Sequence, residues 1–358
     1  MQHVSTPAAK LGVIVVLYRS ADVIGSCLAS ILDAYPEVSR VVLVDNASPD
    51  ESAAVAQDLA HARRVAVVEY PAHANAAPPA GHTIEIIRSN ENLGFAGGVN
   101  LGLEHLAQDP EMAYYWVLNP DCELTPGAAA AALTTANAAM EEGGFSILGT
   151  RLLYHDTRDI QSDGGIACKW TGRCRNLNQG RSTEDAKGHS EDDYDFISGA
   201  SMIASRKFVE QKGPMVEDYF LYYEEVDWAA RRGSLPLRRC LDSVVLHHGG
   251  TAIGSGVPGR SPSPMSNYFN FRNRIRFMRR FHPVAMPASY VFCLLKVLQA
   301  LLRREWKSAF ASFCGTFGMP PPAAVASAFR PEDQERAFRV PSDKDERHAN
   351  SRWSRSPA

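Results

Sequence analysis

The 358-residue sequence predicts an α/β fold in which a mostly parallel sheet is flanked by helices. Two aliphatic runs rich in valine, residues 11–18 and 41–44, have the composition of strands that are covered on both faces. Between them, residues 21–32 carry apolar side chains at helical spacing, and Pro36 follows this pattern. Strands that alternate with helices indicate parallel pairing with right-handed crossovers. At 45% hydrophobic residues, the chain is long enough for one large or two smaller domains.

The next segments extend the alternation. The sequence Ser48-Pro49-Asp50-Glu51 places serine, proline and glutamate as in a capping box, which predicts a helix that starts at Ser48. Residues 70–82 are rich in alanine and proline and lack periodicity, so we expect a surface loop there. Residues 83–88 predict a third strand.

A glycine-rich segment follows this strand. Gly94, Gly97 and Gly98 precede a predicted helix, whose N-terminal amides would face a ligand that approaches the glycine backbone closely. The alternative is that the glycines only allow the helix to pack tightly on the sheet. The GxGxxG pattern is absent from the sequence, which disfavours a Rossmann dehydrogenase.

The most informative stretch runs from Tyr114 to Pro126. An aromatic and aliphatic strand ends at Asn119-Pro120-Asp121, and ligands of open α/β sheets gather beyond the carboxyl ends of strands. Asp121 is therefore a candidate ligand for a hard cation, although an ordinary turn has the same composition. A helix over 126–140 and a strand over 146–153 follow. We expect the polar residues 154–195 to form a flexible region over the site.

A second block combines acids with histidines. After a predicted strand over 201–204, Glu224, Glu225 and Asp227 lie at an aromatic helix start, where mutual repulsion and an apolar environment raise carboxyl pKa values as a general base requires. The alternative is that the three acids only favour the helix dipole. His247 and His248 end a further strand, in the position of metal ligands.

The C-terminal third has a different character. Residues 267–282 interleave five arginines with aromatic residues, and a largely apolar stretch over 284–302 follows. This pattern is typical of a helix that lies on an anionic membrane surface, and the alternative is a set of helices that pack on the catalytic domain with solvated arginines. The charged residues 330–358 are expected to be disordered.

Composition narrows the cellular setting. A net charge of -3 argues against nucleic-acid binding. The seven cysteines contain no CxxC pair, which favours reduced thiols in the cytosol. No segment predicts a signal peptide or a membrane span, so we expect a cytoplasmic protein that is peripheral on the inner face of the plasma membrane.

Taken together, three blocks of motifs over residues 11–280 resemble glycosyltransferase family 2, and within it the bacterial rhamnosyltransferases. The blocks are VIVVLYRS with VVLVDNASPDES, then NENLGFAGGVNLGL with YYWVLNPDCEL, and finally FISGASMIASRKFVEQKG with YFLYYEEVDWAARR and LHHGGTA. The resemblance implies a GT-A fold, a nucleotide-sugar donor, a divalent metal (Mg²⁺ or Mn²⁺) and inversion at the anomeric carbon. It also implies a tail over 1–10, a catalytic domain over 11–265 with a nucleotide-sugar half (11–125) and an acceptor half (126–265), and a helical, membrane-associating region over 266–329.

The resemblance also implies roles for individual residues. Glu225 stands where the family usually has the catalytic aspartate, and Glu224 or Asp227 is its substitute if glutamate is misplaced. Asp121 and His247 hold the metal. The nucleotide-sugar residues are Leu17, Tyr18, Asp45, Asn46, Asn92, Gly94, Phe95, Gly97, Gly98, Asn100, Asn119 and Asp121, and the acceptor residues are Gly199, Ala200, Glu224, Asp227 and Trp228.

The sequence thus leads to a main hypothesis and three rivals. The main hypothesis is transfer of L-rhamnose from dTDP-rhamnose to a glycan or lipid-linked saccharide in cell-envelope polysaccharide synthesis, by a protein that forms a homo-oligomer. One rival is a transferase that uses a UDP-hexose or UDP-galactofuranose. The others are a catalytically silent sugar-nucleotide-binding subunit and a membrane-docking scaffold.

Overall fold

The computed structural model describes residues 9–79, 81–249 and 261–339. In chain order the elements before residue 250 are β1 (Lys10–Leu17), α1 (Ile24–Leu32), β2 (Val38–Asp45), α2 (Ser52–Ala62), β3 (Ala66–Pro71), β4 (Thr83–Arg88), α3 (Gly94–Ala107), β5 (Met112–Leu118), β6 (Cys122–Leu124), α4 (Ala128–Glu141), β7 (Ile147–Tyr154), β8 (Ile160–Ser162), β9 (Gly165–Ala167), β10 (Cys174–Asn176), β11 (Ser201–Ser205), α5 (Arg206–Lys212), α6 (Glu224–Ala230) and β12 (Arg238–His247). The helices after residue 260 are α7 (Pro264–Phe281), α8 (Met286–Leu302), α9 (Trp306–Thr316), α10 (Ala323–Ala326) and α11 (Pro331–Phe338).

A 10-stranded mixed sheet organises the molecule, with the order β3-β4-β2-β1-β5-β11-β7-β12-β6 and β8 beside β7. The first five strands in this order are parallel, and β11 is antiparallel to both of its neighbours. Successive residues of β1 alternate between two cores, one with α1, α2 and α4 and the other with α3, α5 and α6. This alternation explains the continuous apolar runs and confirms the predicted fold class.

Two local predictions in the first half are wrong. Tyr70 belongs to β3 and not to the expected surface loop. Because β3 is an edge strand whose residues are mostly half-exposed, its sequence lacks the continuous apolar run of the neighbouring strands. The capping box at Ser48 does not form, because α2 starts at Ser52. Instead, Asp50 accepts hydrogen bonds from the Ser52 backbone and from the Ala21 backbone, so that it joins two loops.

Residues 154–195 form ordered structure rather than the expected flexible region. The segment contains β8, β9 and β10, and β8 extends the main sheet. Its anchor is a buried ion pair in which Arg151 Nε lies 2.9 Å from Asp163 Oδ1, and Asn178 donates to the same carboxylate. The prediction of flexibility rested on the small number of apolar residues in this segment, and it did not take into account that a buried ion pair can hold the segment in place.

The predicted basic surface of α7 is also wrong. Arg272 is buried and donates to the backbone oxygens of Ala337 and Tyr219, while Arg274 donates to the Tyr223 hydroxyl. These arginines face the rest of the protein, and their partners are carbonyls and aromatic rings. The helices do pack on the rest of the protein, where Arg272 is buried and Arg274 and Arg276 are partly buried, whereas Arg279 and Arg280 are exposed.

Two further predictions concern the apolar stretch over 284–302 and the tail from residue 330 onwards. Among the described residues, Pro283–Leu302 is one helical stretch long and apolar enough to cross a membrane by length and composition, and 22% of it is buried. The disorder expected from residue 330 onwards is wrong up to Phe338, because 331–338 form α11, in which Asp333 is buried. Residues 340–358 lie outside the described residues.

Candidate functional site

A cavity of about 170 Å³ lies at the carboxyl ends of β1, β2 and β5. Tyr18, Asn46 and Asn119 each follow one of these strands directly, and all three line the cavity. The remaining lining residues are Val16, Arg19, Asn92, Gly94, Phe95, Pro120, Asp121, Phe220, Leu221, His247, Met265, Ala328 and Phe329. Parallel strands therefore bring residues from both halves of the chain to one edge of the sheet.

Asn46 fixes the loop on the nucleotide side of the cavity. Its amide nitrogen donates to Asn92 Oδ1 at 3.1 Å and to the Gly94 carbonyl at 3.0 Å, while its oxygen accepts from the Leu93 backbone. Gly94 has φ +73°, and a Cβ there would lie 2.5 Å from the Phe220 carbonyl. The close approach therefore requires glycine at this position.

Asp121 and His247 form the polar end of the cavity. His247 Nε2 lies 3.1 Å from Asp121 Oδ1, because β12 pairs with β6 immediately after the Asn119-Pro120-Asp121 turn. His247 Nδ1 donates to Gln161 Oε1 at 2.6 Å, which leaves the Nε2 lone pair directed at Asp121. A carboxylate oxygen and an oriented imidazole nitrogen at this spacing fit a divalent cation and leave its other positions for ligand oxygens.

Further potential metal ligands, Cys122, Glu123, His155 and His248, lie beside Asp121 and His247. Cys122 also lies within reach of Asp121 and His247, but burial raises the pKa of its thiol well above the usual value and the thiol donates to the Ala200 carbonyl. It is therefore a neutral core residue. On the other side, Glu123 lies 3.4 Å from His248 Nε2 and accepts a longer contact from His155, whose ring stacks on His248.

Glu225 and Glu224 begin α6 with different environments. Burial raises the pKa of the half-buried Glu225 carboxyl to about 7. Burial and the charge of Glu225 raise the pKa of Glu224 well above its usual range, and its Oε2 has no hydrogen-bond partner within the described ranges. A Cβ at Gly199 would contact both the Phe95 ring and the Glu225 Cβ, so Gly199 lies between Phe95, which lines the cavity, and the start of the Glu225 side chain. Glu225 is thus poised to ionise near neutral pH.

Asp227 and Trp228 are both fully buried. Asp227 is fully buried, pairs with Arg231 at 2.7 Å and Arg280 at 3.1 Å, and accepts from the Tyr219 hydroxyl. The Trp228 indole is fully buried and donates to the Gly213 carbonyl. Both predicted acceptor roles are wrong, because these side chains point from α6 into the core.

Several predicted nucleotide-side residues also serve the scaffold. The Leu17 side chain is fully buried in the core, and its carbonyl accepts from the Asn46 backbone. Gly97 and Gly98 lie inside α3 rather than before it, and a Cβ at Gly98 would clash with Val16 on β1. The packing alternative therefore describes Gly98.

Two further predicted polar residues hold neighbouring segments. Asn100 binds the Met215 backbone through both polar atoms of its side-chain amide, and it does not line the cavity. Asp45 pairs with Arg88 at 2.6 Å and accepts from the Ser48 backbone. Ala200 is also structural, because its carbonyl accepts from the Asn119 backbone and so holds the turn before Asp121.

The C-terminal segment supplies residues that the sequence reading missed. Ala328 and Phe329 line the cavity, and Asp333 lies 3.4 Å from the Asn92 backbone nitrogen and 3.5 Å from the Tyr18 hydroxyl. Arg336 pairs with Glu91 and Glu217 across the start of α3. Gln161 was missed as well. No local signal marks these positions, since each acts through contacts with distant parts of the chain.

Comparison with known proteins gives the family context. Residues 12–152 match the family described as Glycosyl transferase family 2. The chain is 24% identical over 269 residues to the low-salt glycan biosynthesis hexosyltransferase Agl10 of Haloferax volcanii, which covers 74% of each chain.

Solved structures give the fold context. The fold is similar to the mannosyltransferase PcManGT from Pyrobaculum calidifontis in complex with GDP-Man and Mn²⁺, with a TM-score of 0.51, 15% identity and coverage of 86% of this chain and 87% of that chain. It is also similar to GalNAc-T7 with UDP, GalNAc and Mn²⁺, with a TM-score of 0.50, 11% identity and coverage of 75% and 51%. Residues 12–152 thus match the glycosyl transferase family 2 model, and the chain has a GT-A-like fold.

Proposed function

We propose that this chain is an inverting, metal-dependent glycosyltransferase that moves a sugar from a nucleotide-sugar donor to a glycan acceptor. The observation that carries the proposal is the placement of two groups at one edge of the sheet. The Asp121 and His247 pair ends the donor cavity, and Glu225, with its raised pKa, lies behind Phe95 and Gly199. Glycosyl transfer requires side chains that bind a cation and a general base, both beside a cavity for the nucleotide.

Each side of the site has a separate task in the reaction. Tyr18 and the loop that Asn46 holds would bind the nucleotide. Asp121 and His247 would hold the cation, which neutralises charge on the leaving diphosphate when it is bound. The Mn²⁺ ion suits this oxygen and nitrogen pair better than Mg²⁺, which favours oxygen ligands.

Glu225 acts on the acceptor. It takes the proton of an acceptor hydroxyl while that oxygen forms a bond to the anomeric carbon. The bond from the same carbon to the diphosphate oxygen breaks on the opposite face, so that the configuration is inverted. Glu224, kept protonated by burial and by its charged neighbour, adds no negative charge at neutral pH.

For the donor we propose a hexose or deoxyhexose, with L-rhamnose from dTDP-rhamnose as the first choice. Support for rhamnose comes from the three motif blocks that resemble rhamnosyltransferases. The Haloferax volcanii relative is named a hexosyltransferase of glycan biosynthesis, which supports a glycan acceptor. UDP-hexoses and UDP-galactofuranose stay as alternative donors.

A donor panel tests the proposal. The full chain is incubated with Mn²⁺ or Mg²⁺ and dTDP-rhamnose, UDP-glucose, UDP-galactose, UDP-galactofuranose or GDP-mannose, and release of nucleoside diphosphate is measured. Release from one donor that chelation abolishes, that Glu225→Gln lowers strongly and that the exposed control Glu141→Gln leaves unchanged is the expected result. Binding of a donor with no release in the presence of any saccharide acceptor would favour the silent subunit instead.

We place the protein on the cytoplasmic face of a membrane. Support comes from apolar side chains that α8 and α9 leave exposed, including Leu295, Leu298, Trp306 and Phe310. A soluble protein seldom exposes such a contiguous apolar face without a partner.

A further inference from the structure

A second and larger concavity lies away from the donor cavity. It is a groove of about 830 Å³ between α7 and the chain that follows α9, within the size range of small-molecule sites. Along α7 it is lined by four arginines, at positions 272, 276, 279 and 280. Positions 276 and 280 follow 272 at intervals of four, and 279 follows 276 at an interval of three, so the four share one helix face. The facing wall consists of Tyr290, Phe317, Met319, Pro320 and Pro321.

The positive charge of this groove exceeds the negative charge around it. Arg280 pairs with Asp227, whereas Arg272 donates to the backbone oxygens of Ala337 and Tyr219, to the Asn273 side-chain oxygen and to the Tyr268 side chain. Arg279 is exposed and forms no ion pair with an acid in the described ranges. Within those ranges Asp218 is the acid that lines the groove.

The burial of Arg272 makes this excess physically significant. Burial and the nearby charge of Arg276 lower the pKa of the Arg272 guanidinium to about 9. The nearby Asp218 favours the charged form of Arg272, but burial of the cation is still costly, and a bound anion lowers that cost. Arginine is also the side chain best shaped to hold phosphate oxygens in pairs.

The opposite wall of the groove continues into the uncovered apolar face of α8 and α9. Phe317 belongs to both, since it lines the groove, stacks on Tyr290 and is 47% exposed. From it, Phe313 and Phe310 extend along α9 at helical spacing. The exposed Arg303, Arg304 and Lys307 lie at the turn between the two helices, where they would meet an anionic surface.

We propose that this groove binds the phosphate group of an amphiphile whose apolar chain lies along the face of α8 and α9. Both a membrane phospholipid and a lipid-linked acceptor carry this chemistry. The identification of the ligand as an acceptor rests on the proposed function, whereas phosphate-lipid binding does not. Asp227 connects the two sites, because it lies on the helix of Glu225 and pairs with the groove residue Arg280.

Flotation of the full chain with vesicles tests the groove without any donor. Vesicles contain phosphatidylcholine alone, or with phosphatidylglycerol, or with a small fraction of a polyprenyl phosphate, and free pyrophosphate is titrated separately. Wild type should bind both phosphate-lipid mixtures more tightly than neutral vesicles. Arg279→Gln should weaken this binding about fivefold and Arg279→Glu about 25-fold, because each charge unit near an anionic surface contributes about fivefold.

The control and the contrary outcomes are distinct from those of the donor panel. Arg64→Glu, at an exposed position that does not line the groove, should bind vesicles like wild type. Equal binding of Arg279→Glu and wild type would overturn the proposal, as would equal binding to neutral vesicles. A preference for polyprenyl phosphate identifies the acceptor as the ligand, and equal affinity for both phosphate lipids identifies the membrane. If the chain instead forms dimers that do not float, the apolar face is an interface between copies and the proposal fails.

Discussion

Replacement of Asp227 by alanine should destabilise the fold and leave acceptor use unchanged in the protein that remains folded. The carboxylate is fully buried, and its removal leaves Arg231 and Arg280 without their acid and the Tyr219 hydroxyl without its acceptor. Loss of one partner of a buried ion pair costs about 3 to 5 kcal/mol. Arg280 is 32% exposed and can rehydrate, whereas Arg231 is 14% exposed, so we expect the lower end of this range, about 3 kcal/mol.

The assay is thermal and urea unfolding of Asp227→Ala beside Glu225→Gln. For a chain of 358 residues, about 3 kcal/mol lowers Tm by roughly 4 °C. Glu225→Gln should not lower Tm, because the Glu225 carboxyl is half-buried and burial disfavours its ionised form. An unchanged Tm for Asp227→Ala together with a tenfold rise in KM for the acceptor would refute the reasoning and restore the acceptor role.

Further predictions concern the donor and acceptor sides of the site. The kcat of wild type should rise with pH through about 7 as Glu225 ionises, and Glu225→Gln should lose this step together with roughly 10²- to 10⁴-fold of kcat. The pKa of Glu225 is higher in the folded than in the unfolded protein, so its contribution to stability is present at low pH and is lost as pH rises through 7. Urea unfolding at pH 8 should therefore find Glu225→Gln more stable than wild type. Gln161→Ala should weaken Mn²⁺ affinity by about 10- to 100-fold in a calorimetric titration, because His247 loses the acceptor that orients its ring, and an unchanged affinity would exclude His247 as a ligand. Phe329→Leu replaces a ring of the cavity wall by a smaller aliphatic side chain, so nucleoside diphosphate should bind several-fold more weakly with a small fall in Tm, whereas unchanged affinity would show that the C-terminal segment does not touch the donor.

The parts of the site that sequence reasoning found are those encoded in one short stretch. Asp121 and His247 each end a continuous apolar strand, and the position of a strand end follows from local composition. Glu225 was predicted because three acids lie within four residues at an aromatic helix start, and its catalytic role stays a prediction. By contrast, Gln161 and Phe329 act only because β8 and the C-terminal segment return to the cavity, and that return depends on packing between segments far apart in the chain.

Charged residues were the main source of wrong predictions, for a physical reason. A charge in a sequence is usually solvated, so the arginines of α7 indicated a surface and the polar residues 154–195 indicated mobility. In the structure, the Arg272 guanidinium donates to backbone oxygens, and Arg151 pairs with Asp163. Whether a buried charge finds partners depends on tertiary geometry, which a one-dimensional pattern does not contain.

The short helix α6 shows how one local sequence separates two kinds of acid. Positions 224 and 227 share a face that turns inward, and both side chains are buried, whereas Glu225 projects to the side that meets Gly199. Two arginines pair with Asp227, whereas burial and the charge of Glu225 raise the pKa of Glu224 well above its usual range. The remaining carboxyl, that of Glu225, has a pKa raised to about 7 and its side chain starts beside Gly199, so ionisation and position both favour Glu225 as the proposed base.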